Sequence, residues 1–432
     1  MERAEEAGRM QASEYLEYSE YSENLEEWTN TDPVQSAGAE ISAGPEQTNR
    51  SGQAGWKRLF RLKRLWLLLL LPAALLSLFA ASRSQEVAEH VFARGIFAAL
   101  SWGMAHITSL IPFSLMEFGI TVLPFALLFL LVRFIIRLVR KREDRAFRLA
   151  KAFINLGCVV SIAAFLLLIG CSINYYRYPV SRYLELTVEP ASKEELYGLV
   201  RALAAETSRV RDGLEQKGLE DENGVFLLSV SERELGQEAV TAFGRLAETY
   251  PIFRGYYPQP KHIFFSRTMS RTELTGIFCP FTMEANVNTD VPDYSLGSTM
   301  CHELAHLKGF IREDEANYIA FLACMASDSD ELRYSGLMEA LVLAGNALYR
   351  KDADLYFEAR RLYSEGVSRD LQANSEYWKQ FENTVISNTA EKLNDTYLKA
   401  NNQEDGVQSY GRMVDLLLAQ YRRDGEACVK SR

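Results

Sequence analysis

The densest chemistry in the chain lies in His302-Glu303-Leu304-Ala305-His306, an HExxH pattern. On an α-helix, positions i and i+4 share a face, so His302 and His306 can direct both imidazoles at one ion. Neutral imidazole suits Zn2+, and two such ligands leave room for a third ligand and a water. Glu303 follows the first histidine and can reach that water rather than the metal. There it would take a proton as zinc-activated water attacks a carbonyl, then pass that proton to the leaving amine. The chain has five histidines in 432 residues. At that frequency an accidental HExxH is expected only about 0.006 times per chain. The motif spends two of the five.

The flanking residues must hold this pattern on a helix and bring up a third ligand. Leu304, Ala305 and Leu307 keep the segment helical and partly buried, and Gly309 suits the position that ends it. A second helix is expected over 311–321. A reversal at Gly309 and Phe310 would return its first turn to His306. Glu313, Asp314 and Glu315 suit a helix N-terminus on electrostatic grounds alone, yet one of them has to complete any metal site.

HExxH followed by a helix bearing Glu-x-x-Ala-Asn resembles the Glu-zincin metallopeptidases, whose third ligand is the glutamate of that second helix. The resemblance places the ligand on Glu313 and its i+4 orienting partner on Asn317. The interval from His306 is shorter than in most such enzymes, which leaves Glu315 as the alternative. More narrowly, HELAHLKGFIREDEANYIAF behind three apolar segments resembles a family of bacterial membrane proteins known only as a domain of unknown function with a metallopeptidase-type motif. That likeness spans roughly 60–400, including PFSLMEFG (112–119) and GIFCPFTMEANVN (276–288). It implies zinc and peptide hydrolysis and names no substrate. In zincins the strand beside the motif helix pairs with extended substrate. GIFCPFTMEANVN is either that strand or a plain core strand, and Pro280 favours an edge position. Cys279, Cys301 and Cys324 read as small buried thiols rather than ligands.

The rest of the soluble part, 181–432, is polar and helix-forming. Ser192 with Glu195 and Ser231 with Glu234 are capping-box starts for helices over 192–217 and 231–250. Further helices are expected at 331–350 and 406–423. KHIFFS (261–266) and 276–288 are the only strand candidates, so the domain is expected to be mainly α, an α+β zincin-like fold with a small sheet.

Three stretches meet the length a bilayer demands: 65–81, 118–139 and 153–173. Pro72 is tolerable inside a lipid-embedded helix, and Cys158 and Cys171 are packing residues of the third. KRLFRLKR (57–64) holds five basic residues and 133–151 holds eight, whereas 82–117 holds only Arg83 and Arg94. That asymmetry places the N-terminus and the 140s loop in the cytoplasm and everything after the third span outside it. The segment 95–116 is apolar enough to be a fourth span. Glu89, His90 and Arg94 give its start an interfacial character instead, so the membrane domain (56–178) is read with three spans. His106 within it reads as a packed residue rather than a ligand or proton carrier.

Residues 1–55 hold twelve acids before position 50 and then a Gly/Ser/Pro-rich stretch, which reads as a disordered cytoplasmic tail. With 47 Lys+Arg against 57 Asp+Glu, the chain is no general nucleic-acid binder. Six cysteines are too few for a disulfide framework. The reading is a multi-pass cell-membrane protein whose extracytoplasmic domain is a zinc metallopeptidase acting on a peptide or protein substrate. Its partners are the lipid bilayer and that substrate. His302, His306 and Glu313 would bind Zn2+, with Glu303 as general base. The rival is a catalytically silent membrane scaffold or sensor whose soluble domain binds a protein partner.

Overall fold

The computed structural model describes residues 63–140, 145–401 and 412–430. The expected tail and the start of the 406–423 helix fall outside the described residues. The chain is mostly helical, with one three-stranded sheet.

Among the described residues, three helices are long and apolar enough to cross a bilayer: Lys63–Arg83, Leu115–Arg140 and Arg145–Tyr176. Their large apolar side chains, such as Leu76, Phe125, Phe129 and Phe153, lie mostly exposed. Water would penalise that arrangement and hydrocarbon would not, so these helices fit membrane association. The first and third pack together, because Gly157 lets Leu68 approach and Ser161 Oγ reaches the Leu68 carbonyl. Pro72 and Pro124 both sit within span helices.

The segment after the first span is not among these long, apolar helices. A π-helix over Val87–Phe97 runs into the α-helix Ala98–Thr108. Phe97 and Ala105 belong to the main hydrophobic core of the soluble part. Glu89 and Arg177 form a fully buried ion pair at 3.1 Å, which ties this segment to the chain leaving the third span. His106 stacks on Tyr256 with centroids 3.7 Å apart and bonds the Trp102 carbonyl, as a packed residue would.

Both capping boxes form, so helices begin at Lys193 and Glu232 as their sequences require. Glu232–Thr249 and Asp330–Lys351 pack on the helix that carries HExxH, and Lys193–Gln216 packs in turn on Asp330–Lys351. Arg211 and Asp370 pair at 2.8 Å with neither side chain exposed, and Asp370 also accepts the Phe226 N–H.

Both expected strand segments enter the sheet, but 261–266 contributes only two residues and 276–288 is not one continuous strand. β1 is only Lys261–His262, and the 276–288 stretch folds into a hairpin of β2 (Gly276–Cys279) and β3 (Glu284–Val287). Pro280 cannot continue a ladder, and Met283 takes a left-handed φ of 51° in the turn. The order is β1-β3-β2, with β1 parallel and β2 antiparallel to β3. β2 is therefore an edge strand. The Glu284 carboxylate accepts the Leu115 and Met116 N–H groups at 3.2 and 3.1 Å and pairs with Lys261. It thereby caps the exposed N–H groups that open the second span helix.

Candidate metal centre

The motif helix runs from Leu296 to Leu307 and is buried along almost its whole length. It stops because Gly309 adopts φ +83°, a conformation that suits glycine. The Gly309 N–H then donates to the His306 carbonyl at 2.8 Å, and the Phe310 N–H to that of Ala305 at 3.2 Å. The chain reverses and a second helix, Glu313–Met325, packs against the first. Its start is two residues later than sequence patterning suggests.

This reversal delivers Glu313 to the histidines. Glu313 Oε2 lies 3.1 Å from His302 Nε2 and 3.5 Å from His306 Nε2. Donor atoms around a tetrahedral zinc with ~2.1 Å bonds stand about 3.4 Å apart, so the spacing matches. The three side chains form a group that could hold a metal ion, with donor atoms all within 4.8 Å of one another.

The other ring nitrogens explain the orientation. His306 Nδ1 lies 2.8 Å from the Phe310 carbonyl oxygen and His302 Nδ1 lies 2.6 Å from Asn317 Oδ1. A carbonyl oxygen only accepts, so each Nδ1 carries a proton, which leaves Nε2 as the nitrogen that each ring would offer to a metal.

Glu315 is engaged elsewhere. Its Oε1 accepts the Val180 N–H and an Arg312 N–H, both at 2.8 Å, and thus fastens the chain that leaves the third span. The histidines gather Glu313 and not Glu315. Cys279, Cys301 and Cys324 are buried free thiols and none joins the cluster.

Electrostatics divide the two central carboxylates. Burial pushes the Glu303 carboxyl up to about 7, against the pull of His302 and His306. Burial also opposes ionisation of Glu313, but the His306 charge and bonds from both rings hold it at about 2. His306 is raised to about 9, because the Glu313 carboxylate outweighs the burial that would lower it. One group is a permanent anion and its neighbour is poised near neutrality, a separation typical of sites that both bind charge and move protons. Glu303 Oε2 is buried without a hydrogen-bond partner among the described residues.

Other residues close around the centre, two from the expected 276–288 strand and two with no signal in the sequence. Gly276 of β2 lies so close to Glu303 that a Cβ there would collide with Glu303 Oε1. The Phe278 ring stands 6.2 Å from that of His306. Tyr397, on the distant helix Val385–Ala400, places its hydroxyl 3.0 Å from Cys171 Sγ. Burial, Cys171 and Glu313 all keep the Tyr397 hydroxyl protonated. Glu339 faces the centre from a third helix, its carboxyl raised by burial and drawn back by His302.

The model of the family described as "Protein of unknown function (DUF3810)" matches residues 92–418, and the chain belongs to that family. No curated protein and no solved structure matches it.

Proposed function

We propose that this member of the family is a membrane-anchored, zinc-dependent metallopeptidase with a zincin-like soluble domain on the extracytoplasmic side. The observation that carries the reading is the convergence of His302, His306 and Glu313 at tetrahedral spacing beside a buried Glu303. Two imidazoles and one carboxylate suit Zn2+ and leave a coordination position open. When bound, zinc would polarise a peptide carbonyl and acidify the attacking water.

The chain's own residues supply the rest. Glu303 does not belong to the ligand group, and its buried carboxylate can accept the water proton and return it to the leaving amine nitrogen. Asn317 and the Phe310 carbonyl fix both rings. The outer edge of β2 offers backbone N–H and C=O groups to an extended peptide, and Gly276 keeps that edge beside Glu303. Sidedness rests on the basic residues clustered at 57–64 and 133–151.

The test is the purified full chain beside Glu303→Gln. Both should carry about one zinc per chain, and the variant should lose peptide hydrolysis by about 10²–10⁴-fold. Equal hydrolysis by both, or absence of zinc from both, would leave the silent scaffold as the reading.

A further inference from the structure

The soluble domain carries a group of largely exposed aromatic side chains. Phe264 is 83% exposed, Phe265 50% and Phe281 43%. Phe264 and Phe265 meet edge to face at 5.0 Å, and Phe113 and Phe118 form a second exposed pair. Grouped exposed aromatics mark a surface that meets something apolar.

Two sets of contacts fix where that surface lies. The Glu117 carboxylate accepts the N–H groups of Phe264 at 2.9 Å and Phe265 at 2.7 Å. Glu117 sits in the first turn of the 26-residue helix Leu115–Arg140. At 1.5 Å per residue that helix is about 39 Å long, against ~30 Å of hydrocarbon, so its first turn stands in the headgroup layer. Independently, Gly170, near the end of the third span, packs so close to the β2–β3 turn that a Cβ there would lie 3.2 Å from the Pro280 carbonyl oxygen and 3.3 Å from the Met283 side chain. Phe281 lies between those two residues in the β2–β3 turn.

We infer that the sheet is seated on the lipid bilayer, with Phe264, Phe265 and Phe281 buried among the headgroups and upper acyl chains. Lipid is the occupant because the patch is continuous with the lipid-facing side of the second span at Phe118 and Ile120, both exposed. Apolar rings entering this boundary gain burial, while their backbone stays bonded to Glu117 and needs no water. β2 then runs from Glu303 to the seat. Gly276 to Cys279 spans three steps, or about 10 Å of extended chain, and Phe281 follows in the turn. On the peptidase reading, which this consequence rests on, the edge of β2 meets polypeptides just as they leave the bilayer.

The seat is tested on the full chain in phosphatidylcholine vesicles, with an environment-sensitive fluorophore attached at Phe264→Cys or Phe281→Cys. The six native thiols are buried, and the unsubstituted chain gives the labelling background. Phosphatidylcholine bearing a nitroxide near the headgroup should quench both positions at least about twofold. A label at the exposed turn residue Glu222 should be unaffected. Equal quenching at 264, 281 and 222, or none at any, would overturn the seat. Emission reads lipid contact and not hydrolysis, so this outcome is separate from that of the peptidase test.

Discussion

His302 Nδ1 and Asn317 Oδ1 lie 2.6 Å apart, one side chain from each of the two helices that meet at Gly309. That bond fixes the tautomer of His302 and aims its Nε2 at Glu313. Replacing Asn317 with alanine should therefore weaken zinc binding by about 10–100-fold without unfolding the chain. Asn317→Asp should retain tight binding, because a carboxylate accepts the same proton. Competition with a fluorescent chelator measures both, and unchanged affinity in Asn317→Ala would mean that the bond does not orient the ring.

Glu313 and Glu315 are two residues apart yet should respond differently. Glu313→Gln should lose zinc while the fold persists. Glu315→Gln removes the carboxylate that receives Val180 and Arg312. It should cost about 1–3 kcal/mol of stability and leave zinc in place. Metal content and thermal melting, measured side by side, separate the two; the reverse pattern would move the ligand to Glu315.

Zinc uptake should release a proton, in a pH-dependent way. In the metal-free chain His306 is raised to about 9 by Glu313 despite its burial. Below that pH it is an imidazolium that must deprotonate to bind. Calorimetry at pH 8 in buffers of differing ionisation enthalpy should report release of about one proton, falling toward none above pH 9. Apparent affinity should rise with pH up to that point and then level off. Proton release that is the same at pH 8 and pH 10 would contradict this coupling.

The same shift has a stability consequence with a definite sign. A histidine whose folded value lies above its unfolded one stabilises fully below about 6.5 and loses that contribution as pH rises through about 9. The chelated protein should thus melt at progressively lower temperature across that window. Added zinc should remove much of the slope, since the ion takes the place of the proton.

Glu89 and Arg177 join the segment after the first span to the motif helix. Arg177 also donates to the Lys308 carbonyl at 3.1 Å and lies 4.0 Å from the Phe310 ring centroid. Glu89→Ala leaves a buried guanidinium without its counter-charge and should cost about 3–5 kcal/mol. Because Phe310 supplies the carbonyl that holds His306, zinc affinity should fall as well. A variant with normal melting would show that water reaches Arg177.

The sequence by itself determined the features that depend on near neighbours in the chain. Ser192 and Ser231 begin helices because a capping box needs only three residues of reach. The candidate spans follow from continuous apolar length. His302 and His306 share a face because the helical repeat puts i and i+4 together. Gly309 ends the helix because its φ of +83° suits a residue without a Cβ. Tertiary structure decided what depends on distant partners. Glu313 rather than Glu315 meets the histidines because Val180, far away in sequence, occupies Glu315. The apolar run 95–116 lies against the motif helix because Ser101 Oγ finds the Leu307 carbonyl and Phe97 finds the core; its composition alone would also suit a bilayer. Likewise, residues 276–288 read as one strand by β-propensity, but the ladder needs a partner for β2, and the turn at Pro280–Met283 supplies one by folding the segment back on itself. Local sequence fixes dihedral preference and periodicity, whereas the choice among chemically equivalent carboxylates and apolar runs belongs to contacts that exist only once the chain has closed.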